Sequence, residues 1–254
     1  MLLARIIAIA CPVLLVVPAF LLFIRPTDFY PLLIISLLLV LAGQILVVKL
    51  SRQVKRLQEA FFYFSPGLLV TLGSWLILLM LENFWFKLGL AILTLLALFY
   101  YFWSLHRKLY QSSFLGKGDQ PVDFRTLEIM IVFLMSTALF GFIDFLNLPK
   151  LWLMATMFCL AWLLSKLNEF FQNKAAKSPI FHLLIGLIAV EVFWAIVSLS
   201  FVYYIKGIIF SCLYLVFSLF READYQALDR KIIRNCLVIV SLILFLVLLT
   251  ARWF

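Results

Sequence analysis

Glu191 is the residue in this chain whose position most needs a chemical explanation. It lies well inside an apolar run read as a helix over 180–202. A charged side chain at the centre of a bilayer costs roughly 2.5–3.5 kcal/mol on insertion scales. An acid at such a depth is therefore expected to face the protein interior and bond to a polar partner, with Thr71, Ser74 and Thr137 as the hydroxyls on offer. Two further acids, Glu82 and Asp144, close the ends of runs read as helices over 66–82 and 127–146. A helix turns about 100° per residue. Thr71, Ser74 and Glu82 then share a face, as do Thr137, Gly141 and Asp144, and Glu191 shares one with Ser198. If these stripes converge, they line an acidic cavity open to one side of a membrane. In the competing reading the hydroxyls only let helices approach closely, and Glu82 and Asp144 sit among lipid headgroups.

Other chemistry is hard to find. The sequence has no HExxH, GxSxG, P-loop or GxGxxG pattern, no aspartate-rich cluster for a magnesium–diphosphate, and no mid-helix lysine for a Schiff base. No catalytic residue, metal site or cofactor is expected. The histidines, His106 and His182, fall at helix ends, where a haem between them competes with the simpler reading of two isolated interfacial imidazoles. Cys11, Cys159, Cys212 and Cys236 show no metal-like or CxxC spacing and read as small packing residues. Arg5 stands about five residues before Cys11, too close for a signal-peptide core, so the first apolar run reads as a retained helix.

The elements that must position these residues are transmembrane helices. Of 254 residues, 66% are hydrophobic and 13% charged, with a mean hydropathy of +1.15. A soluble domain cannot hide so much apolar surface. Apolar runs near 20 residues suit spanning helices, and the short alternating pattern of a membrane barrel is missing. The expected fold is an all-α polytopic bundle of about nine helices, at 6–24, 31–48, 66–82, 85–105, 127–146, 150–166, 180–202, 206–221 and 235–251. Residues 1–254 form a single integral membrane domain. Ser65-Pro66 and Ser178-Pro179 read as helix starts, a capping hydroxyl followed by proline at the first helical position.

Sixteen of the 21 Lys and Arg residues cluster at the N-terminus and in four long connections, around Lys55, Lys117, Lys174 and Arg230. The positive-inside rule then places the N-terminus in the cytoplasm and the C-terminus outside a cytoplasmic (inner) membrane. The net charge of +9 reflects this topology, and no nucleic acid is implied.

The two halves echo each other. Tyr100, Trp103, Ser104, Leu105 and Arg107 recur 114 residues later as Tyr214, Phe217, Ser218, Leu219 and Arg221. Leu50-Ser51-Arg52 matches Leu164-Ser165-Lys166 at the same offset, and Leu57-Gln58-Glu59 resembles Leu167-Asn168-Glu169. The pattern points to a four-plus-four parallel duplication with halves at 5–111 and 125–226, and an extra helix at 235–251. Three functional classes follow. The first expectation is a non-catalytic membrane protein that binds lipid or assembles with partners, its basic cytoplasmic loops free to touch anionic lipid. The alternative is a small-solute or ion permease with an acidic intramembrane site, and the third is an intramembrane lipid-modifying enzyme.

Overall fold

The computed structural model describes residues 2–15, 29–51, 57–115, 124–172 and 178–222, with isolated positions at 17, 18, 21, 238 and 241. Among them every regular element is helical. The helices are α1 (Leu2–Leu14), α2 (Phe29–Ser51), α3 (Leu57–Met80), α4 (Phe84–Leu115), α5 (Arg125–Leu146), α6 (Lys150–Gln172), α7 (Pro179–Val197) and α8 (Tyr203–Glu222). Six of them, α2 to α7, are long and apolar enough to cross a membrane, and α8 contributes a shorter apolar stretch over Tyr203–Ser218. The expected ninth helix lies outside the described residues.

Apolar run length places the helices, but their ends follow other rules. α3 begins nine residues before Pro66, which therefore stands inside the helix and not at its start. α4 continues ten residues beyond 105, to Leu115, because Leu105, Leu109 and Tyr110 keep one side buried after the apolar run stops. α6 likewise runs on to Gln172. α7 starts at Pro179 as expected, although the Ser178 hydroxyl makes no capping bond, and it ends at Val197 instead of 202. The turn between α5 and α6 is tight: Asn147 takes a left-handed φ of 47°, a conformation asparagine tolerates better than most residues.

Packing divides the chain into two units, residues 1–131 with 166–176 and residues 132–165 with 177–254. In the first, α1 packs on α2 and α4, α2 on α3 and α4, and α3 on α4. Gly43 brings α2 against Cys11 of α1. Phe62, Tyr63, Phe124, Phe170 and Phe171 interlock; the Phe124 and Phe171 rings stack at 4.8 Å. The Lys108 ammonium closes this cluster by donating to the Phe170 carbonyl at 2.8 Å while lying over both phenylalanine rings. In the second unit, Phe140 of α5 stacks on Phe193 of α7 at 4.4 Å, and both meet Phe210 of α8 edge-on. Gly186 admits the Phe158 ring between α7 and α6, and the Ser165 hydroxyl of α6 bonds His182 Nδ1 of α7 at 2.9 Å.

The sequence echo maps unevenly onto these elements. Tyr100 to Arg107 and Tyr214 to Arg221 both occupy the fourth helix of their half. Leu57–Glu59, however, opens α3, whereas Leu167–Glu169 lies near the end of α6.

Candidate functional site

Of the six residues expected to form an intramembrane polar site, Thr71 and Glu82 belong to the first unit and Thr137, Asp144, Glu191 and Ser198 to the second. Thr71 is buried in α3, and its hydroxyl turns back to the Gly67 carbonyl at 2.8 Å. Ser74 does the same to Val70 at 2.7 Å. Such back-bonding satisfies the hydroxyl within its own helix, leaving little for a ligand. Glu82 is exposed in the turn between α3 and α4.

In the second unit the α5 stripe does share one face, and that face meets α8. Lys206 lies almost fully buried and donates to Asp144 at 3.0 Å. Two turns of α5 further in, Thr137 is buried against Gly207, its hydroxyl oxygen without a hydrogen-bond partner. A side chain on residue 207 would collide with Thr137, so glycine is required for α5 and α8 to approach this closely. The stripe is thus a helix seam, with its acid paired to a lysine of α8.

Glu191 corrects the expectation most sharply. It is exposed, on the same side of α7 as Leu184, Leu187, Trp194 and Ala195, and it makes no hydrogen bond or ion pair with a described residue. The buried side of α7 carries His182, Ile185, Gly186, Ala189, Phe193 and Ile196 instead. Ser198 is exposed at the helix end and donates to the Ala195 carbonyl at 2.6 Å. Thr137, the candidate hydroxyl within the same unit, is not bonded to Glu191.

Polar chemistry concentrates instead at two places that the sequence reading passed over. The first surrounds Pro66. Proline removes the amide that would bond the Phe62 carbonyl and crowds the preceding turn. The Ser65 hydroxyl donates to that carbonyl at 3.4 Å. The Gln44 amide of α2 donates to the Phe64 carbonyl at 3.1 Å, and the Tyr101 hydroxyl of α4 donates to the Tyr63 carbonyl. Gln44 and Tyr101 are both almost wholly buried. Gly67 gives them room, since a Cβ there would strike the Gln44 amide and the Tyr101 ring. A lone amide in an apolar span was the available signal.

The second is Glu128, fully buried in the first turn of α5 and accepting from the Asn168 amide of α6 at 3.0 Å. Its spacing from Phe124 and Ile131 puts it on the buried stripe.

The histidines are buried, not solvated at an interface. His106 stacks on Tyr110 at 4.8 Å, and His182 bonds Ser165. Among the described residues no group of three or more His, Cys, Asp and Glu side chains has metal-site geometry, and Cys11, Cys159 and Cys212 are free thiols. A shallow, mostly apolar groove between α7 and α8 is lined by Ile188, Val192, Phe210 and Tyr214. No family model matches the chain, and no curated protein or solved structure is similar to it.

Proposed function

We propose that this chain is a non-catalytic, multi-pass protein of a cytoplasmic (inner) membrane that acts by binding lipid or assembling with other membrane components. The carrying observation is the fate of its polar side chains. Thr71, Ser74, Thr137, Asp144, Gln44 and Tyr101 are used one by one in helix packing, and Glu191 lies on an exposed face. A solute path needs several polar groups aimed at one space, and these are aimed at backbone carbonyls or at neighbouring helices.

We read the topology as nine helices, N-terminus in the cytoplasm and C-terminus outside. The charge asymmetry around Lys55, Lys117, Lys174 and Arg230 supports it. A four-plus-four duplication is supported by matching neighbours: α1–α4, α2–α3 and α3–α4 in one half answer to α5–α8, α6–α7 and α7–α8 in the other. Parallel repeats occur in transporters, so the duplication is the feature favouring the permease as second reading.

Native mass spectrometry of the protein from mild detergent separates the two. The expected spectrum shows retained phospholipid or a second subunit. A bound small solute that is lost on Asp144→Asn would overturn the assembly reading in favour of the permease.

A further inference from the structure

The exposed side of α4 runs, from one end to the other, in the order of a section through a bilayer. Trp85, Ile92, Leu96, Phe99, Trp103 and Arg107 are all exposed, and at about 100° per residue they fall within roughly 40° of one line along the helix. Tryptophan stands at both ends of the apolar stretch, and a guanidinium follows one turn beyond. Tryptophan concentrates where acyl chains meet headgroups, because its ring is apolar while its N–H needs a partner. Trp85 and Trp103 are eighteen residues apart, about 27 Å along the axis, close to the roughly 30 Å of a hydrocarbon core.

Helix ends mark the same two levels independently. At the first, α3 ends at Met80 and α4 starts at Phe84. There the Trp85 amide donates to the Asn83 side-chain oxygen at 2.9 Å, which satisfies one of the amides that a helix start leaves free. At the second, α2 ends at Ser51 and α6 at Gln172, and both are met by the turns of α4 that follow Trp103. Tyr110 donates to the Val47 carbonyl at 2.9 Å, and Lys108 to the Phe170 carbonyl at 2.8 Å. Backbone groups freed at helix ends do not stand uncovered in hydrocarbon. α2 repeats the order of chemistry, with Tyr30 exposed at one end, Ile34, Leu38 and Ile45 along its length, and Lys49 at the other end.

We propose that this side of α4 is a lipid-contact surface crossing the whole bilayer, with the Trp85 and Trp103 indoles in the headgroup regions of opposite leaflets and the Arg107 guanidinium at the level of the lipid phosphates. The partner is the phospholipid bilayer itself, since a protein partner has no reason to space two indoles by one hydrocarbon thickness. The inference rests only on the multi-pass part of the reading above, whichever of assembly and transport holds. The last turns of α4, from Arg107 to Leu115, then stand outside the hydrocarbon, so Lys108 and Tyr110 bond their neighbours at headgroup depth and not at mid-membrane.

The test uses three single substitutions in the full chain, Trp85→Phe, Trp103→Phe and Leu96→Trp. Each is placed in phosphatidylcholine vesicles whose acyl chains carry bromine either near the carboxyl end or near the methyl end. All three positions are exposed, so the internal packing is left alone. Bromine quenches tryptophan on contact, and the difference from the parent isolates the emission of one ring. Emission lost on Trp85→Phe and on Trp103→Phe should be quenched more by the shallow bromines, and emission gained on Leu96→Trp more by the deep ones. Deep preference at 85 or 103, or shallow preference at 96, would overturn the proposal. So would a Leu96→Trp emission that no bromine reaches while other tryptophans are quenched, because a protein surface then covers the stripe; the multi-pass reading survives that result. Emission insensitive to bromine at every position would overturn the multi-pass reading itself.

Discussion

The dipeptide Ser-Pro occurs twice, at Ser65-Pro66 in the first unit and Ser178-Pro179 in the second, and the two copies have opposite consequences. Pro179 occupies the first position of α7, where no amide is needed. Pro66 stands nine residues inside α3 and costs the helix a backbone bond. The interiors differ accordingly. Around Pro66, donors from three helices converge on the carbonyls of residues 62 to 64: Ser65, Gln44 and Tyr101. The second unit, with no proline inside its helices, carries phenylalanines at its centre, Phe140, Phe193 and Phe210, and places its ion pair toward the helix ends at Asp144 and Lys206. An interior proline in a membrane helix is tolerable where neighbours resupply the freed backbone groups. Polar residues in such a core are therefore weak evidence for a ligand.

The largest effect expected from breaking this contrast is in the second unit. Asp144→Leu strands the Lys206 ammonium, which is only 7% exposed at its side chain. A loss of about 2 kcal/mol should appear in unfolding by a denaturing detergent, below the range for fully buried pairs because Asp144 is partly exposed. Adding Lys206→Met should recover most of it. Failure of the double variant to recover would mean that Asp144 has a role beyond the pair.

Gly67→Ala probes the first unit. The added methyl meets the Gln44 amide and the Tyr101 ring, and overpacking of this kind costs about 1–3 kcal/mol. Because the Gln44 amide is the end of a flexible side chain, Gln44→Ala in the same chain should relieve part of the loss. Thermal unfolding of the two single variants and the double variant measures that coupling; additive losses would show that Gly67 and Gln44 do not form one node.

The smallest effect sharpens the comparison most. Ser65→Ala should cost about 0.5 kcal/mol in the parent, the scale of one hydrogen bond in a membrane protein. It should cost nothing measurable in a Pro66→Ala background, where an amide reaches the Phe62 carbonyl directly. Equal costs in both backgrounds would separate the Ser65 bond from the proline.

How much of this was legible before folding depends on the helix. α5 could be read closely: Thr137 and Asp144 are seven residues apart and do lie on one face, and Glu128 follows the spacing of Phe124 and Ile131 on the buried side. What could not be read was the lysine waiting on α8. α7 could not be read at all in this respect. It is apolar all round, so its periodicity says nothing about which side is buried, and the expectation of an inward Glu191 rested only on the cost of the alternative. Pro66 was misplaced for a related reason, since a cap signal and an interior proline look alike until the donors that support the latter are known.

The sequence by itself determined that the described part of the chain is helical, roughly where each span lies though not where α3 begins or α4 ends, and that its surface suits lipid. Those properties depend on composition and run length, which act locally: each span must satisfy its own backbone before meeting another. Only the tertiary structure decided which acid is paired, which is exposed, and why Gly67 and Gly207 have no side chain. Those depend on which helix becomes a neighbour and at what depth. In a membrane, where lipid and protein interior are equally apolar, hydrophobicity does not mark the side of a helix that faces its partner.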